Sequence, residues 1–160
     1  MRLSLLLSIS QVILLTTAHA DDAKVRLQID RQYKVWSSAA MNNNVEQVLS
    51  ILAPDYTLQT YTGTIIPRKS YEISLRKRKS ENKPAALYTT RMKSIKVSGS
   101  TALVVSEELS KSPTIDPITN VNQILVHIHE YNDTWVRIAG KWRLRSTVTK
   151  LEKTTVEASH

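Results

Sequence analysis

The last third of the chain constrains the fold most. The segments 87–98, 101–111, 120–138 and 141–151 are rich in β-branched and aromatic residues. They are separated by short breaks, Ser98-Gly99-Ser100 and Ala139-Gly140 among them. Strands joined by turns this short pair antiparallel. Only Ser112-Pro113-Thr114-Ile115-Asp116-Pro117-Ile118-Thr119 is a longer connection. A sheet of this kind has one face to bury, and the first half of the chain must supply what covers it.

That half reads as helices. Val25, Ile29, Tyr33, Trp36 and Ala40 recur at steps of three and four, which makes one apolar face of a helix over about 22–41. Asn42-Asn43-Asn44 ends it. Asn44 can cap a second helix, with Gln47 three residues on as in a capping box and Val45, Val48, Leu49 and Leu52 as its stripe. Pro54 stops that helix near Leu52. Tyr56–Gly63 reads as a strand and Thr64–Pro67 as a short return strand. Ser70 to Lys83 reads as a charged helix ended by Pro84. The order predicts an α+β fold in which a strongly bent antiparallel sheet wraps over three helices.

The ends bound the compartment. Arg2, the apolar run Leu3–Leu15 and the small-x-small triplet Ala18-His19-Ala20 have the layout of a secretory signal peptide. The expectation is a cleaved segment 1–20 and a single domain over 21–160, periplasmic or secreted from a bacterium, with no transmembrane segment in the mature chain. The absence of cysteine fits that compartment. One of the 22 basic residues and none of the 14 acidic ones lies in the first twenty, so the remainder stays basic. Export argues against nucleic acid as a partner and leaves an anionic envelope surface as the expected attraction.

Two stretches carry a resemblance. Ala53–Gly63, "APDYTLQTYTG", follows two helices, and Tyr131–Ser146, "YNDTWVRIAGKWRLRS", closes the chain's strand run. Together with the element order they resemble the NTF2-like superfamily, and within it SnoaL-like and DUF4440-like domains. The resemblance implies a cystatin-like cone with a site between helices and sheet. It does not imply an activity, because this fold carries isomerases, dehydratases, binding proteins and oligomerisation domains. In the similar ketosteroid isomerases the general base falls on Thr60 here and the oxyanion-holding tyrosine near Ser37. Threonine is no base at neutral pH, so that chemistry is not expected.

Strand parity then selects the site. With Ala139-Gly140 as a two-residue turn, Ile138 faces Lys141, Arg137 faces Trp142, and Trp135 faces Leu144. The same count pairs Tyr131 with Val148. It turns Trp135, Trp142, Leu144, Val148 and Tyr131 inward, and Lys141, Arg143 and Arg145 outward. His127 and His129 share the parity of Tyr131, whereas Ile124, Val126 and Ile128 take the other face. One inserted residue near Tyr131-Asn132-Asp133 would reverse the assignment.

The expected pocket is therefore aromatic: Tyr33, Trp36, Tyr56, Leu58, Thr60, Tyr131, Trp135 and Trp142, with His127 and His129 as candidate acid–base groups. Two histidines at i and i+2 stand about 7 Å apart, but a catalytic zinc takes three protein ligands. Glu130 points away, and Glu107 and Glu108 lie on another strand. No metal and no cofactor is expected.

Three functions follow. The first is a binding domain for a small amphipathic ligand or a protein partner. The second is a metal-independent lyase or isomerase using the histidines. The third is a structural dimerisation module. In each, Ile124, Val126 and Ile128 predict a homodimer through the outer sheet face. The cationic helix 70–83 reads as a solvated surface.

Overall fold

The computed structural model of the chain describes residues 7–81 and 87–158, with side chains from residue 22 onward. Lys83, Pro84 and the start of the expected signal peptide lie outside the described residues. Helix α1 spans Leu7–Met41. Among the described residues, no helix is long and apolar enough to cross a membrane.

The predicted face of α1 is the one that packs. Ile29, Tyr33, Trp36 and Ala39 are buried, with Val25 and Ala40 partly so. Asn43, at a positive φ of 49°, turns the chain into α2 (Val45–Ile51). Asn44 caps α2: its side-chain oxygen accepts from the Gln47 backbone N–H at 3.2 Å, and its amide donates to Gln47 Oε1. The reciprocal capping contact thus runs between the two side chains.

Strand β1 (Leu52–Gln59) begins at once and contains Pro54. It pairs antiparallel with β2 (Ile65–Pro67) and parallel with β6, with an irregularity between Leu52 and Thr57. Pro54, which has no N–H to give a ladder, lies inside that irregular stretch. The sheet is therefore mixed and not purely antiparallel. Helix α3 spans Arg68–Ser80. Strands β3 (Leu87–Ser98), β4 (Thr101–Ile115), β5 (Asn122–Ile138) and β6 (Lys141–Ala158) complete a six-stranded sheet ordered β2-β1-β6-β5-β4-β3. Three helices lie against its concave face. β4 and β6 run further than the sequence pattern predicts. The end of β6 pairs with β5 from Gln123↔Ala158 onward, yet it is exposed throughout, so no buried face gives it a period.

The hairpin at Ala139-Gly140 has the predicted register, Ile138↔Lys141 through Trp135↔Leu144, and both turn residues take positive φ. Beyond it the register changes. Thr134 faces Ser146, so Arg145 is an inserted residue, and a second insertion falls at Lys150. β5 itself carries none against β4. The histidines keep their predicted parity, but Val148 does not: it faces Asn132 on the outer side, and Thr147 takes the inner position opposite Asp133. Arg145 is free to turn out and pair with Asp55 at 3.1 Å. A further insertion at Lys93 in β3 adds to the bend that closes the sheet around the helices.

The outer face also departs from expectation. Val126 is only 3 % exposed, and Ile124 and Ile128 are half-buried. Lys111 on β4 and Glu157 on β6 form an ion pair of 2.7 Å that spans β5 here, since Lys111 is the neighbour of Val126 and Glu157 that of Ile124. Leu103, 54 % exposed, is the larger free apolar group on that face.

Candidate functional site

A cavity of about 340 Å³ opens between the concave sheet face, α1 and α3. Tyr33 and Trp36 reach it from α1, Tyr56 and Leu58 from β1, and Tyr71, Ser74, Leu75 and Arg78 from α3. Tyr88 and Thr90 on β3, Glu108 and Ser110 on β4, and His129, Tyr131, Asp133 and Trp135 on β5 supply most of the remaining wall. Its size falls within the range of small-molecule sites, and its wall combines aromatic rings with a few fixed polar groups.

Of the residues selected from sequence, Tyr33, Trp36, Tyr56, Leu58, His129, Tyr131 and Trp135 line the cavity. Thr60, His127 and Trp142 are not part of its lining. Thr60 sits in the turn after β1, where its hydroxyl accepts from the Thr64 backbone N–H at 3.0 Å. His127 lies one inward step past the cavity and bonds the Thr154 hydroxyl through Nδ1 at 3.0 Å. Trp142, beside the β5–β6 turn, is buried in the core cluster with Ile29 and Leu144, and its indole N–H has no partner among the described residues. Ser37, on α1, uses its hydroxyl to accept from the Thr90 backbone N–H.

Two buried carboxyl groups organise the polar part of the wall, and each ends a relay of the same type. Trp135 Nε1 donates to the Tyr33 hydroxyl at 3.0 Å, and Tyr33 donates to Asp133 Oδ2 at 2.6 Å. Ser106 donates to the same oxygen at 2.6 Å and Thr147 to Oδ1 at 2.8 Å. The second relay starts at Trp36, whose Nε1 donates to the Tyr88 hydroxyl at 3.1 Å; Tyr88 then donates to Glu108 Oε2. Among the described residues, the one hydrogen bond to Glu108 Oε1 is a long one from the Tyr131 hydroxyl, 3.4 Å.

Electrostatics separates the two. Burial pushes the Glu108 carboxyl from its ordinary 4.5 up to about 7, opposed by the Tyr88 and Tyr131 hydroxyls. Burial also raises Asp133, and its three hydroxyl donors pull it back. Burial raises the phenols of Tyr33, Tyr88 and Tyr131, so these remain donors at neutral pH. The His129 imidazole is lowered, chiefly by burial, with Glu152 acting against that. Glu108 can therefore carry or release a proton near neutrality.

Glu108 and Asp133 were not selected from sequence, although the signal was there. Asp133 has the inward parity of Tyr131 and Trp135. On β4, Ala102, Val104, Ser106 and Glu108 alternate inward and are all buried. Tyr71 and Arg78 lie in a helix whose run of charges reads as a solvated surface. Among the described residues, no three His, Cys, Asp or Glu side chains are grouped so as to hold one metal ion.

No protein-family model matches the sequence, and no curated protein does. Solved structures do. An NTF2-like protein with a cystatin-like fold from Novosphingobium aromaticivorans aligns with a TM-score of 0.62 at 12% identity, covering 84% of this chain and 86% of its own. A conserved protein from Planctomyces limnophilus gives a TM-score of 0.66 at 14% identity, over 86% and 99%. A hexachlorocyclohexane dehydrochlorinase from Novosphingobium barchaimii gives 0.62 at 12% identity, over 89% and 96%. At such identities the likeness is one of fold: this chain has the NTF2-like, cystatin-like fold.

Proposed function

We propose that this domain binds a small, flat, amphipathic molecule in its cone, and that Glu108 is the group that exchanges a proton with it. The cavity itself is the observation that carries this reading: about 340 Å³, walled by tyrosines and tryptophans, with one incompletely bonded carboxyl in its wall. Rings offer faces to a planar apolar body, and the hydroxyls and Glu108 offer an edge to its polar groups.

Titration with a fluorescent apolar probe tests it. Wild type should bind the probe saturably at one site. Ser74→Trp, a change at an exposed α3 position that lines the cavity, should fold normally and abolish binding. Equal binding by both would place the probe elsewhere and reject the reading.

A lyase or isomerase is the second reading. The approach of His129 Nδ1 to Glu108 Oε1, 3.8 Å, favours it, because a carboxyl and an imidazole this close can divide the acid and base roles. A dehydrochlorinase among the proteins of like fold fits an elimination that begins with proton abstraction. The layout of residues 1–20 supports export to a periplasm or beyond. A homodimer through the outer sheet face is supported by Leu103 and the half-buried Ile124 and Ile128, and no longer by Val126.

A further inference from the structure

One rung of the sheet crosses four strands with polar side chains at each step. Thr90 is the direct neighbour of Glu108, Glu108 of His129, and His129 of Glu152. Glu152 takes no part in the cavity. Along this rung the side chains pass from interior to water: Glu108 is 11% exposed, His129 20% and Glu152 52%. The imidazole lies between the two carboxyl groups, Nδ1 at 3.8 Å from Glu108 Oε1 and Nε2 at 3.9 Å from Glu152 Oε1. Nδ1 is buried and has no hydrogen-bond partner among the described residues. Such an orphan is rare in a folded protein and calls for a purpose.

Stacking holds the ring in this place. His127 lies on one side with centroids 6.3 Å apart and planes 5° from parallel, and Tyr131 on the other at 5.6 Å and 13°. The stack limits tilt and leaves rotation within the ring plane. A movement of about 1 Å brings either nitrogen into hydrogen-bond range of its carboxyl.

We propose that His129 and Glu152 form the proton path between Glu108 and bulk water. This rests on the reading of Glu108 as the proton-exchanging group of the cavity. A ligand that fills the cone removes water from that side of Glu108, so its proton must leave through the sheet. The other groups around Glu108 do not serve. Tyr88 and Tyr131 are held as donors to it, Tyr56 and Tyr71 are phenols that burial keeps protonated, and Asp133 is saturated by its own donors. Arg78 on α3 is a guanidinium, which offers donors and no acceptor. Among these groups the His129 imidazole alone pairs a basic nitrogen with an N–H, so it can take a proton at one nitrogen and release one from the other.

The step balances with no further reactant. Glu108 passes its proton to Nδ1 of a neutral His129 that carries its proton on Nε2. The resulting imidazolium passes the Nε2 proton to the Glu152 carboxylate, which gives it to water. Glu108 ends ionised and His129 neutral in the other tautomer. Uptake reverses the order.

Carbon-13 labelling of glutamate carboxyls in the full chain, with the cone saturated by the fluorescent apolar probe, tests the path. The Glu108 resonance is identified by its loss in Glu108→Gln, and its proton-exchange rate is measured at the midpoint of its titration. A positioned proton-transfer group is worth about 10²–10⁴-fold, so His129→Phe, which keeps a stacked ring, should slow exchange by at least about tenfold. Its end-point chemical shifts should stay the same, whereas a purely structural change would move them. Glu152→Gln, at an exposed position, should slow exchange in the same sense but less. An unchanged rate in Glu152→Gln and His129→Phe overturns the path. If His129→Phe does not fold, Glu152→Gln alone decides it, and an unchanged rate there overturns it. A Glu108 carboxyl that does not titrate between about pH 5 and 9 overturns both the path and the reading of Glu108.

Discussion

Asp133 and Glu108 are both buried acids on the concave face, and both terminate a Trp–Tyr–carboxyl relay. They differ in how many donors they hold. Asp133 receives three short hydroxyl bonds, from Tyr33, Ser106 and Thr147. Glu108 receives one from Tyr88 and a long one from Tyr131. Burial acts on both in the same direction, so burial alone does not give a carboxyl its role. The number of fixed donors does: a full set holds a carboxyl in a structural role, and a partial set leaves a group free to bond elsewhere.

The largest expected effect would break this comparison from the structural side. Asp133→Ala leaves three buried hydroxyls without their acceptor. At about 1–3 kcal/mol for each unsatisfied group, it should cost about 3 kcal/mol or more. Glu108→Gln at pH 8 removes a buried charge and should be neutral or stabilising. Urea unfolding of both variants checks this; a smaller loss for Asp133→Ala than for Glu108→Gln would invert the assignment.

Next comes the pH dependence of stability. The Glu108 carboxyl titrates at about 7 in the folded chain against an ordinary 4.5, so between these values the folded state holds a proton that the unfolded state has lost. Its contribution is fully present below about 4.5, declines as pH rises and is gone above about 7. The full swing is about 3 kcal/mol. The depressed His129 has the opposite sign, its contribution being lost as pH falls, and it is present in both proteins. Subtracting the Glu108→Gln stability curve from that of wild type therefore isolates Glu108. A flat difference would show that Glu108 stays ionised like a surface carboxylate.

Much of this layout was legible in the sequence. The stripe of α1, the Asn44 cap and the Ala139-Gly140 hairpin each rest on local chemistry, and the structure has each of them. Parity along β5 gave the cavity side of His129 and Tyr131, because nothing interrupts that strand against β4. It failed on β6 because Arg145 is an inserted residue, and a basic side chain turned outward looks the same with or without an insertion. It also stopped short of Asp133 and Glu108. An acid on an alternating strand reads as the solvent face, unless the hydroxyls that will bond it are counted too. Ser106 and Thr147, which do so, come from two other strands, and only the folded register brings them together. The burial of Val126 depends likewise on Lys111 and Glu157 meeting across it.

The most direct test of the account is the pH dependence of probe binding. An anionic probe such as anilinonaphthalene sulfonate, bound in the cone, should be repelled when Glu108 ionises. Its affinity for wild type should fall by about tenfold between pH 5.5 and 8.5, on the order of 1.4 kcal/mol. The affinity of Glu108→Gln should stay level across the same range. The same pH profile in both proteins would contradict Glu108 as the titrating group of the cavity.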